Sequence, residues 1–266
     1  QKGGTDTPQP PTLGKLVVPE GYTLNQIAEA VEKSGNKKVS ISAKDFLSKV
    51  QDESFISKMV AKYPKLLSGL PAKDSGVKYR LEGYLFPATY NYTSDTTAET
   101  LIDQMLATMD SKLSTYYEVL ESKNLTVNDV LTLASLVEKE GSTKEDRKNI
   151  ASVFYNRLNQ GMPLQSNIAI LYAEGKKTTL AEDVAIDTNI DSAFNVYKNP
   201  GLMPGPVDSP SLSAIEATVN PNKTDYLYFV ANTETGTVYF ATTYEEHAKN
   251  VEEHVNSKLT QSSSSN

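Results

Sequence analysis

The stretch of this chain that most restricts its folding runs from Thr126 to Gly141. Thr126 is placed to cap a helix in which Val127, Val130, Leu131, Leu133, Ala134, Leu136 and Val137 are apolar, and two glutamates, Glu138 and Glu140, close it. A helix apolar over so much of its circumference has to be covered by other parts of the chain. With 266 residues there is enough chain for a full core, arranged as one large domain or as one domain plus a small module.

The covering elements can be read around it. Residues 145–160 form a second helical pattern closed by Gly161, and Ser209-Pro210 opens a short helix that stops at Asn220-Pro221. Tyr226 to Ala231 and Thr237 to Ala241 bracket Thr-Glu-Thr-Gly, a strong hairpin signal. Thr243-x-x-Glu246 is a capping box for a last helix carrying Ala248, Val251, Val255 and Leu259. Helices with an antiparallel hairpin predict an α+β fold.

Nearer the start, Leu16-Val17-Val18-Pro19 reads as a strand, and Thr23 caps a helix with Leu24, Ile27, Ala28 and Val31 at helical spacing. A further helical pattern runs from Asp45 to about Leu67, ended by Pro64 and Gly69. The stretch from Val18 to Ala28 resembles the opening of a LysM-like glycan-binding repeat, so residues 16–79 are expected to form a small N-terminal LysM-like module. Residues 80–259 then form the main domain. Residues 1–15 and 260–266 are too poor in apolar side chains to offset their ordering entropy and are expected to be disordered. The start, Gln1-Lys2-Gly3-Gly4-Thr5 followed by prolines to Pro11, is expected of a linker downstream of a removed segment.

Composition removes several chemistries. A net charge of -7 argues against nucleic acid, whose phosphates need a concentrated Lys/Arg surface. The absence of cysteine excludes thiol nucleophiles, disulfides and Cys-bound zinc. His247 and His254 lack metal-ligand spacing and read as surface residues, and no G-x-S-x-G is present. No stretch approaches the ~20 apolar residues of a membrane span. Carboxylate chemistry is what remains, with no metal and no cofactor expected.

Glu138 and Glu140 lie about 200° apart on a helix, so they meet different surroundings. Glu140 follows Leu133, Leu136 and Val137 by seven, four and three residues and caps an aliphatic ridge. Desolvation there would raise its pKa toward what a general acid needs. The plainer reading is a helix-end glutamate paired with Lys144 or serving Arg147. Periodicity alone does not choose between the two glutamates.

A series of motifs adds to this. Glu82-Gly83-Tyr84-Leu85-Phe86-Pro87, Ala134-Ser135-Leu136-Val137-Glu138-Lys139-Glu140, Val153-Phe154-Tyr155-Asn156-Arg157-Leu158, Leu164-Gln165-Ser166, the stretch from Tyr197 to Pro206, and Tyr226-Leu227-Tyr228-Phe229-Val230-Ala231 resemble, in this order, the motifs of MltG-type (YceG-like) endolytic murein transglycosylases. The resemblance covers about residues 80–255. It implies that the second glutamate of the E-K-E motif, Glu140, is catalytic, with Glu138 as the fallback. It also implies cleavage of the MurNAc-GlcNAc β-1,4 bond of peptidoglycan glycan strands, leaving 1,6-anhydroMurNAc ends. Members carry an N-terminal membrane anchor, so a single-pass membrane protein with an extracytoplasmic catalytic domain is expected, working beside peptidoglycan synthases.

Asn156, Gln165, Ser166 and Asn199 are candidate sugar-binding groups, because amides and hydroxyls match hydroxyl and N-acetyl recognition; capping and turn roles are the alternative. Glu82, beside Tyr84 and Phe86, is a candidate for the same cleft, although an aromatic row is more often core. The stiff loop from Asn199 to Pro206 would hold one rim still. One departure stands out: the family's usual L-Q-[ST]-D reads Leu164-Gln165-Ser166-Asn167 here, an amide where a carboxylate is usual. Two other functions fit the residues, a non-catalytic peptidoglycan-binding protein and a two-carboxylate polysaccharide hydrolase with Glu82 or Glu138 as its second acid.

Overall fold

The computed structural model describes residues 8–178 and 185–256. The expected tail at 260–266 and residue Leu259 lie outside this range. The elements, in order, are β1 (Gly14–Val17), α1 (Leu24–Lys33), α2 (Ala43–Val50), α3 (Glu53–Lys62), α4 (Pro64–Leu67), β2 (Thr89–Tyr92), α5 (Ala98–Leu113), α6 (Tyr117–Ser122), α7 (Val127–Glu140), α8 (Lys144–Asn159), α9 (Asn167–Ala173), α10 (Leu212–Val219), β3 (Tyr228–Ala231), β4 (Val238–Ala241) and α11 (Tyr244–Val251). A π-helical turn, Glu252–Asn256, continues α11. The mixed α+β character follows. Among the described residues, no helix is long and apolar enough to cross a membrane.

Caps decide where the helices begin. Thr23 and Thr126 each accept a hydrogen bond from the backbone N–H three residues on, and Gln26 and Asp129 reach back to the cap N–H, completing capping boxes. Inside α7 every residue from Val130 to Val137 is buried, with α8, α9 and α10 packed around it. Two of those buried residues are polar, and Ser135 is satisfied locally: its hydroxyl donates to the Thr132 carbonyl and accepts from the Val207 N–H.

Three expectations are corrected. The single helix over 45–67 is three, because the Asp52 side chain accepts from the Ser54 and Phe55 N–H groups and starts α3, while Pro64 occupies the first turn of α4. The short helix after Ser209-Pro210 is capped instead by Ser211, which accepts from Ala214 N–H. Gly14 and Lys15, expected to be disordered, are ordered in β1 by pairing with Tyr92 and Asn91. That pairing also bears on the division at residues 79 and 80. Strand β1 of the first segment is completed by β2 of the second, and the buried apolar residues from Leu16 to Val219 form one core.

The second sheet is the expected hairpin. Strands β3 and β4 pair antiparallel with Tyr228 opposite Ala241 and Ala231 opposite Val238, and Gly236 supplies the positive φ of the turn at +74°. Another glycine sets a close approach. Gly83 has φ +87°, and a Cβ there would stand 2.3 Å from the Pro206 ring. Only a residue with no side chain lets the Glu82–Pro87 turn lie against the proline loop.

Candidate active site

Glu140 is the last residue of α7, and Gly141 ends the helix where a side chain would collide with Ile150. This delivers the Glu140 carboxyl into a cleft of about 470 Å³. Helix α8 contributes Phe154 and Arg157, the segment before α9 contributes Leu164, Gln165 and Ser166, and β3 contributes Tyr228 and Phe229. Asn167, Tyr197 and, from α11, His247 complete the wall. Gln165 sits in the left-handed region at φ 55°, its N–H bonded to the Val196 carbonyl, and Ser166 follows it into the cleft.

The Ser166 hydroxyl donates to Glu140 Oε1 at 3.3 Å. Desolvation pushes the Glu140 pKa up to about 7, against the opposing pull of that hydrogen bond. A carboxyl titrating there can hold a proton at neutral pH and give it up during a reaction. Among the described residues lining the cleft, Glu140 is the one Asp or Glu.

Glu138 faces elsewhere, as the helical angle requires. Its Oε2 accepts from Arg147 Nη2 of α8 at 2.9 Å and from the Ser211 hydroxyl at the start of α10, also at 2.9 Å. Burial raises its pKa even so, outweighing the Arg147 charge. The arginine pairing anticipated as a plain role for Glu140 therefore belongs to Glu138.

Of the candidate sugar-binding residues, Gln165 and Ser166 meet Glu140 in the cleft. Asn156, on α8, gives its amide hydrogens to the Thr224 and Tyr226 carbonyls and lines a different depression, with Tyr155 and Asn222. Asn199 donates to the Ser192 carbonyl in its own loop. Glu82, 2 % exposed, accepts from Leu24 N–H at the start of α1, and desolvation raises its pKa to about 7. It lines another cavity, beside Lys78 and Tyr172.

His247, read as a surface residue, stacks on the Tyr228 ring at 5.1 Å and forms part of the cleft wall. Its hairpin neighbour, not its own helix, brings it there. Arg157, Tyr197 and Tyr228 lie within the motifs and line the cleft beside the expected residues. For Arg157 a signal existed, since it follows Phe154 by three residues and shares its helical face. Asn167, the residue that departs from the usual motif, also lines the cleft, where its side-chain oxygen accepts from the Tyr197 hydroxyl.

The YceG-like family matches residues 5–253. The chain belongs to this family. It is 66% identical to the endolytic murein transglycosylase of Streptococcus pneumoniae serotype 2 (strain D39 / NCTC 7466), over 97% of this chain and 48% of that protein. The endolytic murein transglycosylase of Bacillus subtilis (strain 168) is 40% identical over 92% of this chain and 66% of its own length. A 2.6 Å crystal structure of a yceG-like protein from Listeria monocytogenes superposes with a TM-score of 0.81 at 42% identity, covering 91% of this chain and 76% of the other. The chain spans about half the length of the pneumococcal relative and two thirds of the Bacillus one. Among the described residues no group of three or more His, Asp or Glu side chains is arranged to hold a metal ion.

Proposed function

We propose that this cleft performs endolytic lytic transglycosylation, cutting the MurNAc-GlcNAc β-1,4 bond within peptidoglycan glycan strands. The observation that carries the reading is a single desolvated carboxyl group, Glu140, in a cleft lined by amides, hydroxyls and aromatic rings. Glu140 gives its proton to the glycosidic oxygen as the bond from that oxygen to C1 of MurNAc breaks. The C6 hydroxyl of the same sugar then bonds to C1, and its proton passes to the Glu140 carboxylate. A 1,6-anhydro end is left and Glu140 is protonated again. Because the nucleophile is intramolecular, its effective molarity is high, so no second carboxylate is needed to activate water.

A two-carboxylate hydrolase is less well supported, because Glu82 and Glu138, its available second acids, line or bond to other parts of the molecule. The relatives' names support a peptidoglycan substrate, and with it an extracytoplasmic place of action. The LysM-like module, the N-terminal membrane anchor and work beside peptidoglycan synthases belong to the same proposal. Mass spectrometry of purified glycan strands after incubation tests the chemistry. Anhydro ends are expected. Reducing ends would indicate hydrolysis, and strands bound but never cut would indicate a binding protein.

A further inference from the structure

The chain has three arginines, and two of them are neutralised by carboxylates: Arg80 meets Glu53 at 2.7 Å and Arg147 meets Glu138 at 2.9 Å. Arg157 differs. It is 7 % exposed and lines the Glu140 cleft, yet among the described residues no carboxylate comes within ion-pair distance of it. Its Nε donates to the Leu227 carbonyl at 2.6 Å and one Nη to the Pro163 carbonyl at 2.8 Å, while the guanidinium lies over the Tyr228 ring, 5.0 Å from its centre. Those two bonds fix the plane of the group and, among the described residues, leave Nη2 without an acceptor.

Leaving a cation so buried without a counter-charge is costly unless something supplies one. The one carboxyl in the wall is Glu140, whose ionised form burial disfavours and which forms no ion pair with Arg157. Burial and the Arg157 charge hold His247 below the usual histidine pKa, so it is neutral at pH 7 and does not compete for an anion. Tyr197 lines the same cleft and lies within electrostatic reach of both Glu140 and Arg157.

Resting on the function proposed above, we infer that Arg157 is a substrate-binding residue that recognises a carboxylate carried by the saccharide next to the bond being cut. A planar guanidinium held by two carbonyls and an aromatic face presents its remaining donors as a fork, the geometry that suits a carboxylate. On a murein strand such a group is either the lactyl carboxylate of a peptide-free MurNAc or a carboxylate of its stem peptide. On a protein of net charge -7, a positive group enclosed in the cleft also selects where an anionic strand settles.

Four strands separate the possibilities: peptide-free with free lactyl carboxylates, peptide-bearing with free stem carboxylates, and the same two with every carboxylate converted to an amide. The parent protein is expected to cut one carboxylate-bearing strand with a kcat/KM about tenfold or more above its amidated form, and the preferred strand names the source of the carboxylate. Equal cutting of free and amidated strands overturns the inference and leaves transglycosylation standing. No cutting of any strand removes the underlying reading as well. Arg157→Gln is expected to abolish the preference, bringing kcat/KM on the carboxylate-bearing strand down to that on its amidated form; a preference that survives in it overturns the assignment to Arg157. Should that variant not fold, side-chain NMR of Glu140→Gln protein decides. With three arginine Nε–H signals, the Arg157 signal should shift on adding the carboxylate-bearing fragment and stay still with the amidated one. A shift with both, or with neither, overturns the inference.

Discussion

At Glu140 the same desolvation acts on activity and on stability. Its pKa stands near 7 in the folded protein against 4.5 for a free glutamate, so the native state holds this proton more tightly than the unfolded chain does. Between those two values stability falls as pH rises, because ionisation is disfavoured in the fold. Glu140→Gln removes that penalty. The variant is expected to match the parent below pH 4.5, to gain on it as pH rises toward 7, and to keep a constant advantage above, on the order of 3 kcal/mol at most. Thermal unfolding across pH checks this, and a difference that shrinks with rising pH would contradict it. Cleavage by the same variant should fall ~100-fold or more. Ser166→Ala tests the hydrogen bond. That bond favours the ionised form, so its loss raises the Glu140 pKa further and moves the alkaline limb of the kcat/KM profile to higher pH. A limb displaced downward would show that Ser166 acts in another way.

Among the elements, α7 depends on what its far end grips. Glu138 ties it to α8 through Arg147 and to α10 through Ser211, both ion-pair side chains being largely buried. Glu138→Gln leaves Arg147 enclosed without its charge partner and should lower stability by roughly 2 kcal/mol, less than a full buried-pair loss because desolvation already offsets much of the attraction. Activity at a temperature where the variant stays folded should change little; loss of activity with an unchanged Tm would transfer the catalytic role to Glu138. Caps were the most legible features in the sequence, since Thr23, Thr126 and Thr243 each act on a residue three positions away. Helix α5 is marked in the sequence too, through Thr97 and the spacing of Leu101, Met105, Met109 and Leu113. The stop at Asp52 was harder to see, because apolar positions continue in near-helical phase on both sides of it.

For the whole molecule, one core implies one unfolding event. Leu24, fully buried in α1, belongs to the same core as Leu136 and Ile215. Leu24→Ala should therefore cost about 2–5 kcal/mol and lower the unfolding temperature of the entire protein in a single transition. Two separated calorimetric transitions would show an independent first module instead. A fragment of residues 14–79 lacks the partner of β1 and should not fold alone, as circular dichroism would show. The candidate site was legible only where motifs name their own chemistry, as at Glu140, Gln165 and Ser166. Arg157, Tyr228 and His247 become one stack only when α8, β3 and α11 are brought together, and no local pattern records contacts between residues from three separate elements.

The contact between Gly83 and Pro206 also limits how such a sequence can drift. Position 83 admits no side chain while a proline ring occupies 206, so variation at one is conditional on the other. Between them they join the turn whose Glu82 holds the start of α1 to the loop whose Val207 N–H is held by Ser135 of α7. Exchange of the first 87 residues with those of a distant homologue would thus bring a new residue to position 83 against the retained Pro206, where a single added methyl group is a collision.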